Sequence, residues 1–253
     1  MEHQPQPPAP MSLVRTLCIR LAQAVVALLA LALSLDLRAE TLDNSSMPLL
    51  SRCAGKAGGT VRQGDPAFMT LALDGRPWMT VDKADDDPDP QAHQTTISGN
   101  GWAKRRDGTS FLFRLTCVLD AQGRATMFHA SALLRDLGDR LPPAIVINGS
   151  ATYPVKEPLP RGVELQVQLL DTSQDPPLIL TEQAVRSGWH LPTGFSLRLP
   201  AATSLENRSI ALAARVVLAR QTLFELGEPR KLSQGELTRF IELTLQPAGD
   251  GRR

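Results

Sequence analysis

Beyond its first forty residues the chain alternates between apolar and polar positions over short runs. From Gly162 to Asp171, "GVELQVQLLD" places Val163, Leu165, Val167 and Leu169 on one side. Glu164, Gln166 and Gln168 fall on the other. That is the pattern of a strand with one dry and one wet face, and the wet face is free either to meet water or to bind. Six more apolar runs share the second half: "AIVINGSATYPV", "LILTEQAV", "FSLRLP", "SIALAARVVLAR", "TLFEL" and "RFIELTLQ". Period two turns Ile210, Leu212, Ala214, Val216 and Leu218 inward, as it does Ile241, Leu243 and Leu245 in the last run. Short strands spaced by roughly 8–12 residues, with proline-rich turns, predict a sandwich or barrel. We read residues 143–247 as an antiparallel β-sandwich, followed by a tail at 248–253.

The first half, 41–139, reads as a small α+β module. "SSMPLLSRCAGKAGG" predicts a short helix opened by Ser45 or Ser46 and closed by Gly58-Gly59, with Leu49, Leu50 and Cys53 on its inner side. "FMTLALDGRPWMTV" predicts a hairpin around Asp74-Gly75. The stretch from Thr95 to Leu134 reads as a three-strand meander turning at Asp107-Gly108 and near Gln122-Gly123. On its central strand Phe111, Phe113, Leu115 and Cys117 share one face, so Cys117 points into the core. Gly138 and Pro142-Pro143 break the pattern and mark the boundary between the halves.

Residues 1–39 differ from both. Arg15 and Arg20 precede the uncharged run "LAQAVVALLALALSL" from Leu21 to Leu35. The run is shorter than the roughly 20 residues needed to span a bilayer. With small Ala39 before the cleavage point it reads as a signal peptide; an uncleaved N-terminal anchor is the alternative. No other stretch is long and apolar enough to cross a membrane. Cys18 would leave with the signal. "RTLC" lacks the small residues expected before a lipidated cysteine, and Arg52 stands beside Cys53, so a periplasmic or secreted chain without a lipid anchor is expected. Cys53 and Cys117 remain. In an oxidising compartment they invite one disulfide, with two buried free thiols as the alternative.

Composition narrows the function classes. A net charge of +1 argues against a nucleic-acid partner, and an aromatic content of 4% argues against a row of stacking rings. No Gly-x-Ser-x-Gly, Ser-x-x-Lys, P-loop or His-Glu-x-x-His motif occurs, so no catalytic residue and no cofactor is assigned. "GNGW" at Gly99–Trp102 lacks a strand-to-helix context, and its glycines mark a bulge or a close backbone approach. His129, next to Phe128 on a strand, reads as structural or surface. Asp85, Asp87 and Asp89 in "DKADDDPDPQ" are the only metal candidates, but they lack the glycine and glutamate of an EF-hand and read equally as a solvated loop. Trp189 and His190 in "RSGWHLPTG" form a possible contact loop, or the Trp closes the end of the sandwich core.

"INGSATYPVKEPLPRGVELQVQLLDTS", "ILTEQAV", "FSLRLP" and "SIALAARVVLARQTLFEL" together resemble the YbaY/YscW family of cell-envelope lipoproteins. The resemblance covers about residues 143–247 and is densest in "LPRGVELQVQLLDTS". It rests on core and turn positions, so it speaks for fold more than for activity. It implies a β-sandwich and, for members that resemble pilotins, help in assembling a secretin ring. This chain differs in lacking a lipid-modified cysteine and in carrying the N-terminal module. The function expected is therefore a non-enzymatic envelope protein binding another envelope protein, such as a secretion-system component. An envelope hydrolase or carbohydrate-binding protein is the alternative.

Overall fold

The computed structural model describes residues 45–84, 94–134, 139–154, 159–160, 162–187, 191–219 and 221–249. Its one long helix among them, α1, spans Met47–Gly64, with Ser46 as N-cap and a proline in the first turn, where the missing N–H costs nothing. Met47, Leu50, Cys53, Ala54 and Ala57 recur at helical spacing and are buried. The expected stop at Gly58-Gly59 does not occur. The helix continues for five residues because Val61, one turn further, packs against the same core. That burial offsets a glycine cost of about 1 kcal/mol per residue.

The strands are β1 (Phe68–Asp74), β2 (Thr80–Lys83), β3 (Thr95–Arg105), β4 (Ser110–Leu119) and β5 (Ala125–Ala132) in the first half. The second half contributes β6 (Ala144–Thr152), β7 (Val163–Asp171), β8 (Leu178–Ser187), β9 (Thr193–Pro200) and β10 (Ile210–Leu218). It ends with β11 (Gln221–Glu225), β12 (Arg230–Leu232), β13 (Ile241–Thr244) and β14 (Gln246–Pro247). The large sheet runs β14-β11-β10-β7-β8-β1-β3-β4-β5, with β12 beside β10 and β2 beside β3, and every pairing in it is antiparallel. A small sheet, β13-β6-β9, packs on it, and within it β13 runs parallel to β6.

The β3–β4–β5 meander forms as expected, with Gly108 and Gly123 at φ +91° and +70° in its turns, a region L side chains rarely enter. The hairpin expected at Asp74-Gly75 does not. β1 and β2 lie end to end along the same side of β3, β1 pairing with Leu71↔Ala103 and β2 with Val81↔Ile97. A type I′ turn needs positive φ at Gly75, which it lacks. The Gly75 N–H instead bonds the Glu182 carbonyl at 2.8 Å, because β1 takes β8 as its second neighbour. The large sheet is thus continuous from one half of the sequence to the other.

Each face of that sheet has its own core. Leu165, Val167 and Leu169 of β7 meet Leu212, Ala214 and Val216 of β10 and Ile147, Leu197 and Leu243 of the small sheet, which makes the second half a β-sandwich. On the opposite face α1 buries Leu50 and Cys53 against Leu71, Leu73, Ile97, Phe113 and Leu115. Cys53 and Cys117 form a disulfide there, their Cα atoms 6.0 Å apart. Gly101 makes room for this core: a Cβ there would lie 2.7 Å from the Phe113 ring. Of the two "GNGW" glycines, Gly101 therefore marks a close approach, whereas a Cβ on Gly99 would meet only ordinary contacts.

Candidate binding surfaces

The polar side of β7 is largely shut off from water, with Gln168 half-buried. Glu164 is 1% exposed and Gln166 7%, because the start of α1 lies across them. Glu164 accepts hydrogen bonds from the Ser51 hydroxyl, from Gln166 Nε2 at 2.9 Å and from Arg186 Nε at 3.2 Å. Arg215 Nε donates to Gln166 Oε1 at 2.7 Å. One pair away, Glu182 of β8 accepts from the Ser46 N–H at 2.7 Å, the Ser45 hydroxyl at 2.6 Å, Gln168 at 3.0 Å and the Ser46 hydroxyl. Buried carboxylates persist only when so supplied with donors. The alternation in "GVELQVQLLD" is real, but its second face binds the chain's own helix.

A second polar group lies between the sheets. Gln183, fully buried on β8, donates to Asp74 at 2.7 Å and to the Ser196 carbonyl at 2.9 Å, and accepts from the Ser196 N–H at 3.0 Å. Trp78 Nε1 and the Thr181 hydroxyl both donate to the Arg198 carbonyl. These side chains occupy the outer edge of β9 and close it to another strand. Burial pushes Asp74 from 3.8 up to about 6, against the opposing pull of its hydrogen bond from Gln183 and the charge of Arg198. The Arg198 guanidinium stacks over Trp78 at 4.6 Å and donates to the Pro142 carbonyl at 2.8 Å.

Beside this closed edge the large sheet and the small sheet frame a groove. One part, a cavity of about 610 Å³, is lined by Trp102, Leu112, Leu133, Leu141, Val146 and Arg198. The other, about 860 Å³, continues past Trp102, Leu112 and Ser196 to Phe111, Pro192 and Phe240. Phe240 is 63% exposed and Val146 44%, an unusual display of apolar surface along one cleft. Lys104 and Glu242 stand at one end, Arg140 and Asp139 at the other. Trp102 and Phe240 were not legible as contact residues. Trp102 sits in "GNGW" opposite Leu112, and its place in a groove depends on Ser196 of β9, distant in sequence, lining the same cleft.

The sheet edges differ in how they end. At β13, Arg230 Nη1 donates to the Glu242 carbonyl at 2.9 Å. Thr126 to Ala132 of β5 are exposed except for Phe128, and no described strand lies beyond it. His129 is exposed there. The metal candidates Asp85, Asp87 and Asp89 and the contact loop Trp189-His190 lie outside the described residues, as do Cys18 and the signal at 1–39. Among the described residues no cluster could hold a metal ion, and no helix is long and apolar enough to cross a membrane.

The comparisons with known proteins concern the second half. Residues 142–239 match the family model of the type III secretion system lipoprotein chaperone (YscW). Among solved structures the chain is similar to an alternative pilotin from the type II secretion system of Vibrio cholerae, at 19% identity and a TM-score of 0.38, over 42% of this chain and 97% of that one. No curated protein matches. The expected resemblance thus stands on residues 142–239: that part of the chain is similar to the secretion lipoprotein chaperones.

Proposed function

We propose that the chain is an exported, non-enzymatic envelope protein that binds a secretion-system component through protein–protein contacts. The observation that carries this reading is the groove at Trp102, where Phe240 and Val146 stand exposed along an apolar cleft. Clefts of this size, with an apolar floor and a pair of opposite charges at each end, suit a protein segment anchored by apolar side chains. The match of residues 142–239 to a secretion chaperone family supports the class of partner. The sequence before Glu40 supports export, and the setting of Cys18 and Cys53 supports a periplasmic or secreted chain without lipid. The first half supplies Trp102, Leu112 and Leu133 to the groove, so we read it as part of the binding apparatus.

The test places a photo-crosslinking residue at Phe240 in the exported chain and identifies what it captures in the cell envelope. A secretion-system protein captured at Phe240, and lost when Val146→Glu is added, supports the reading. Capture of nothing, or turnover of an envelope substrate by the purified chain, overturns it. Intact mass of the exported protein should correspond to a start near Glu40 without a diacylglycerol adduct.

A further inference from the structure

We infer that the open edge of β5 is a strand-addition site for an acidic extended segment of a partner protein. This rests on the binding reading above and extends it to a second, adjoining surface.

The backbone pattern fixes which groups of β5 have no strand partner among the described residues. Antiparallel ladders alternate pairs that exchange hydrogen bonds with pairs that do not. The Leu133 N–H donates to the Leu112 carbonyl at 2.9 Å, just past the end of β5. In the register of β4 and β5, Arg114↔Ser131, Thr116↔His129 and Val118↔Met127 are then the bonded pairs. The other flank of β4 agrees. Arg105 N–H donates to the Thr109 carbonyl at 2.9 Å, so Phe111, Phe113, Leu115 and Cys117 turn their amides toward β3 and leave the intervening residues to β5. The N–H and C=O groups of Phe128, Ala130 and Ala132 therefore point away from the sheet.

Exposed edges are normally blunted by charges, proline, bulges or a covering element. β5 reads "ATMFHASA", eight residues without Lys, Arg, Asp, Glu or Pro, and Ala130, Ser131 and Ala132 are small enough for close approach. The edge of β9, by contrast, is filled by Gln183, Thr181 and Trp78. The ladder shifts register at Thr126, near the start of β5, and runs regularly from Met127 to Ala132; an uncharged, regular edge of this kind is a template for another strand.

Charge selects the occupant. Helix α1 carries Arg52, Lys56 and Arg62 and no acidic residue. Arg52 reaches the turn that starts β5, where its guanidinium occupies the space a Cβ on Gly123 would need. Lys56, one helical turn on, shares that flank. A strand added to β5 presents every second side chain to the α1 side of the sheet, and carboxylates at those positions meet Arg52 and Lys56. Leu133 lies at once beyond the end of β5 and in the lining of the Trp102 groove, so one partner segment can leave the groove and continue along β5.

The experiment uses the exported full chain and a capped ten-residue peptide alternating Val and Glu, with a Val and Lys peptide as control. Amide hydrogen exchange should show protection at Phe128, Ala130 and Ala132 on adding the Val/Glu peptide, with Met127, His129 and Ser131 unchanged. Ala130→Pro removes an outward N–H without touching the β4 ladder. It should weaken the peptide about tenfold, as expected for losing a hydrogen bond and the fit around it. Arg52→Glu with Lys56→Glu alters no backbone group and should reverse the preference between the two peptides. The inference fails if neither peptide protects these amides, if both bind equally, or if the charge reversal leaves the preference intact. Protection that appears with protein concentration alone assigns the edge to a second copy and also overturns it. Failure of these peptide tests with capture at Phe240 intact rejects strand addition while leaving the proposed function standing.

Discussion

Asp74 shows how one residue can carry a pH dependence for the molecule. Its carboxyl is buried, held by Gln183 and attracted by Arg198, yet desolvation prevails and moves it from 3.8 to about 6. Between those two values the folded state binds more protons at this site than the unfolded chain does. Stability therefore falls as pH rises from about 4 to about 6 and levels off above that. Asp74→Asn should flatten this slope, measured by urea unfolding at half-unit steps from pH 4 to 7; parallel profiles for the two proteins would show that Asp74 does not titrate in this window. Glycines give a second residue-scale test. Gly101→Ala presses a methyl onto the Ala72 carbonyl of the neighbouring strand and within 2.7 Å of the Phe113 ring, and overpacking of this kind costs about 1–3 kcal/mol. The loss should appear as a lower midpoint in thermal or urea unfolding.

Helix α1 marks where sequence reading succeeds and where it stops. Its start, its buried stripe and the inward direction of Cys117 were legible, because each depends on local spacing. Its end was not, because the contact of Val61 with the core outweighs the glycine signal. Gly59 is exposed with nothing within 4 Å of an added Cβ, so Gly59→Ala should stabilise by about 1 kcal/mol, read as a higher melting temperature. The Asp74-Gly75 pair misled for the same kind of reason. A hairpin signal is local, whereas β8, more than a hundred residues away, claims the outer side of β1. The wet face of β7 was correctly seen as polar. That its partners would be Ser51 and Arg186, and Ser45 for Gln168, could not be read from period two. The groove was legible least of all: Trp102, Leu112 and Phe240 come from distant parts of the chain and share no motif.

At the scale of the whole molecule, the two halves meet through a polar seam on one side of the large sheet and a shared strand ladder within it. The β1–β8 ladder and the bonds of Glu164, Gln166 and Glu182 to the helix segment join them. The disulfide adds about 4 kcal/mol in the chain-entropy model for a 64-residue separation, but both cysteines belong to the first half. Residues 143–249 retain the entire apolar core between the sheets except for Ala72 of β1 and the edge of Trp102. The face uncovered by removing the first half holds Glu164, Gln166, Gln168 and Glu182, which water can solvate as readily as serine hydroxyls do. We therefore expect the fragment 143–249 to fold as a sandwich with a cooperative melt at a lower temperature than the full chain. Its newly bared β8 edge should make it self-associate, measured by sedimentation across a concentration series. A fragment with strand-like circular dichroism but no cooperative transition would mean that the seam, and not the apolar core, holds the second half together.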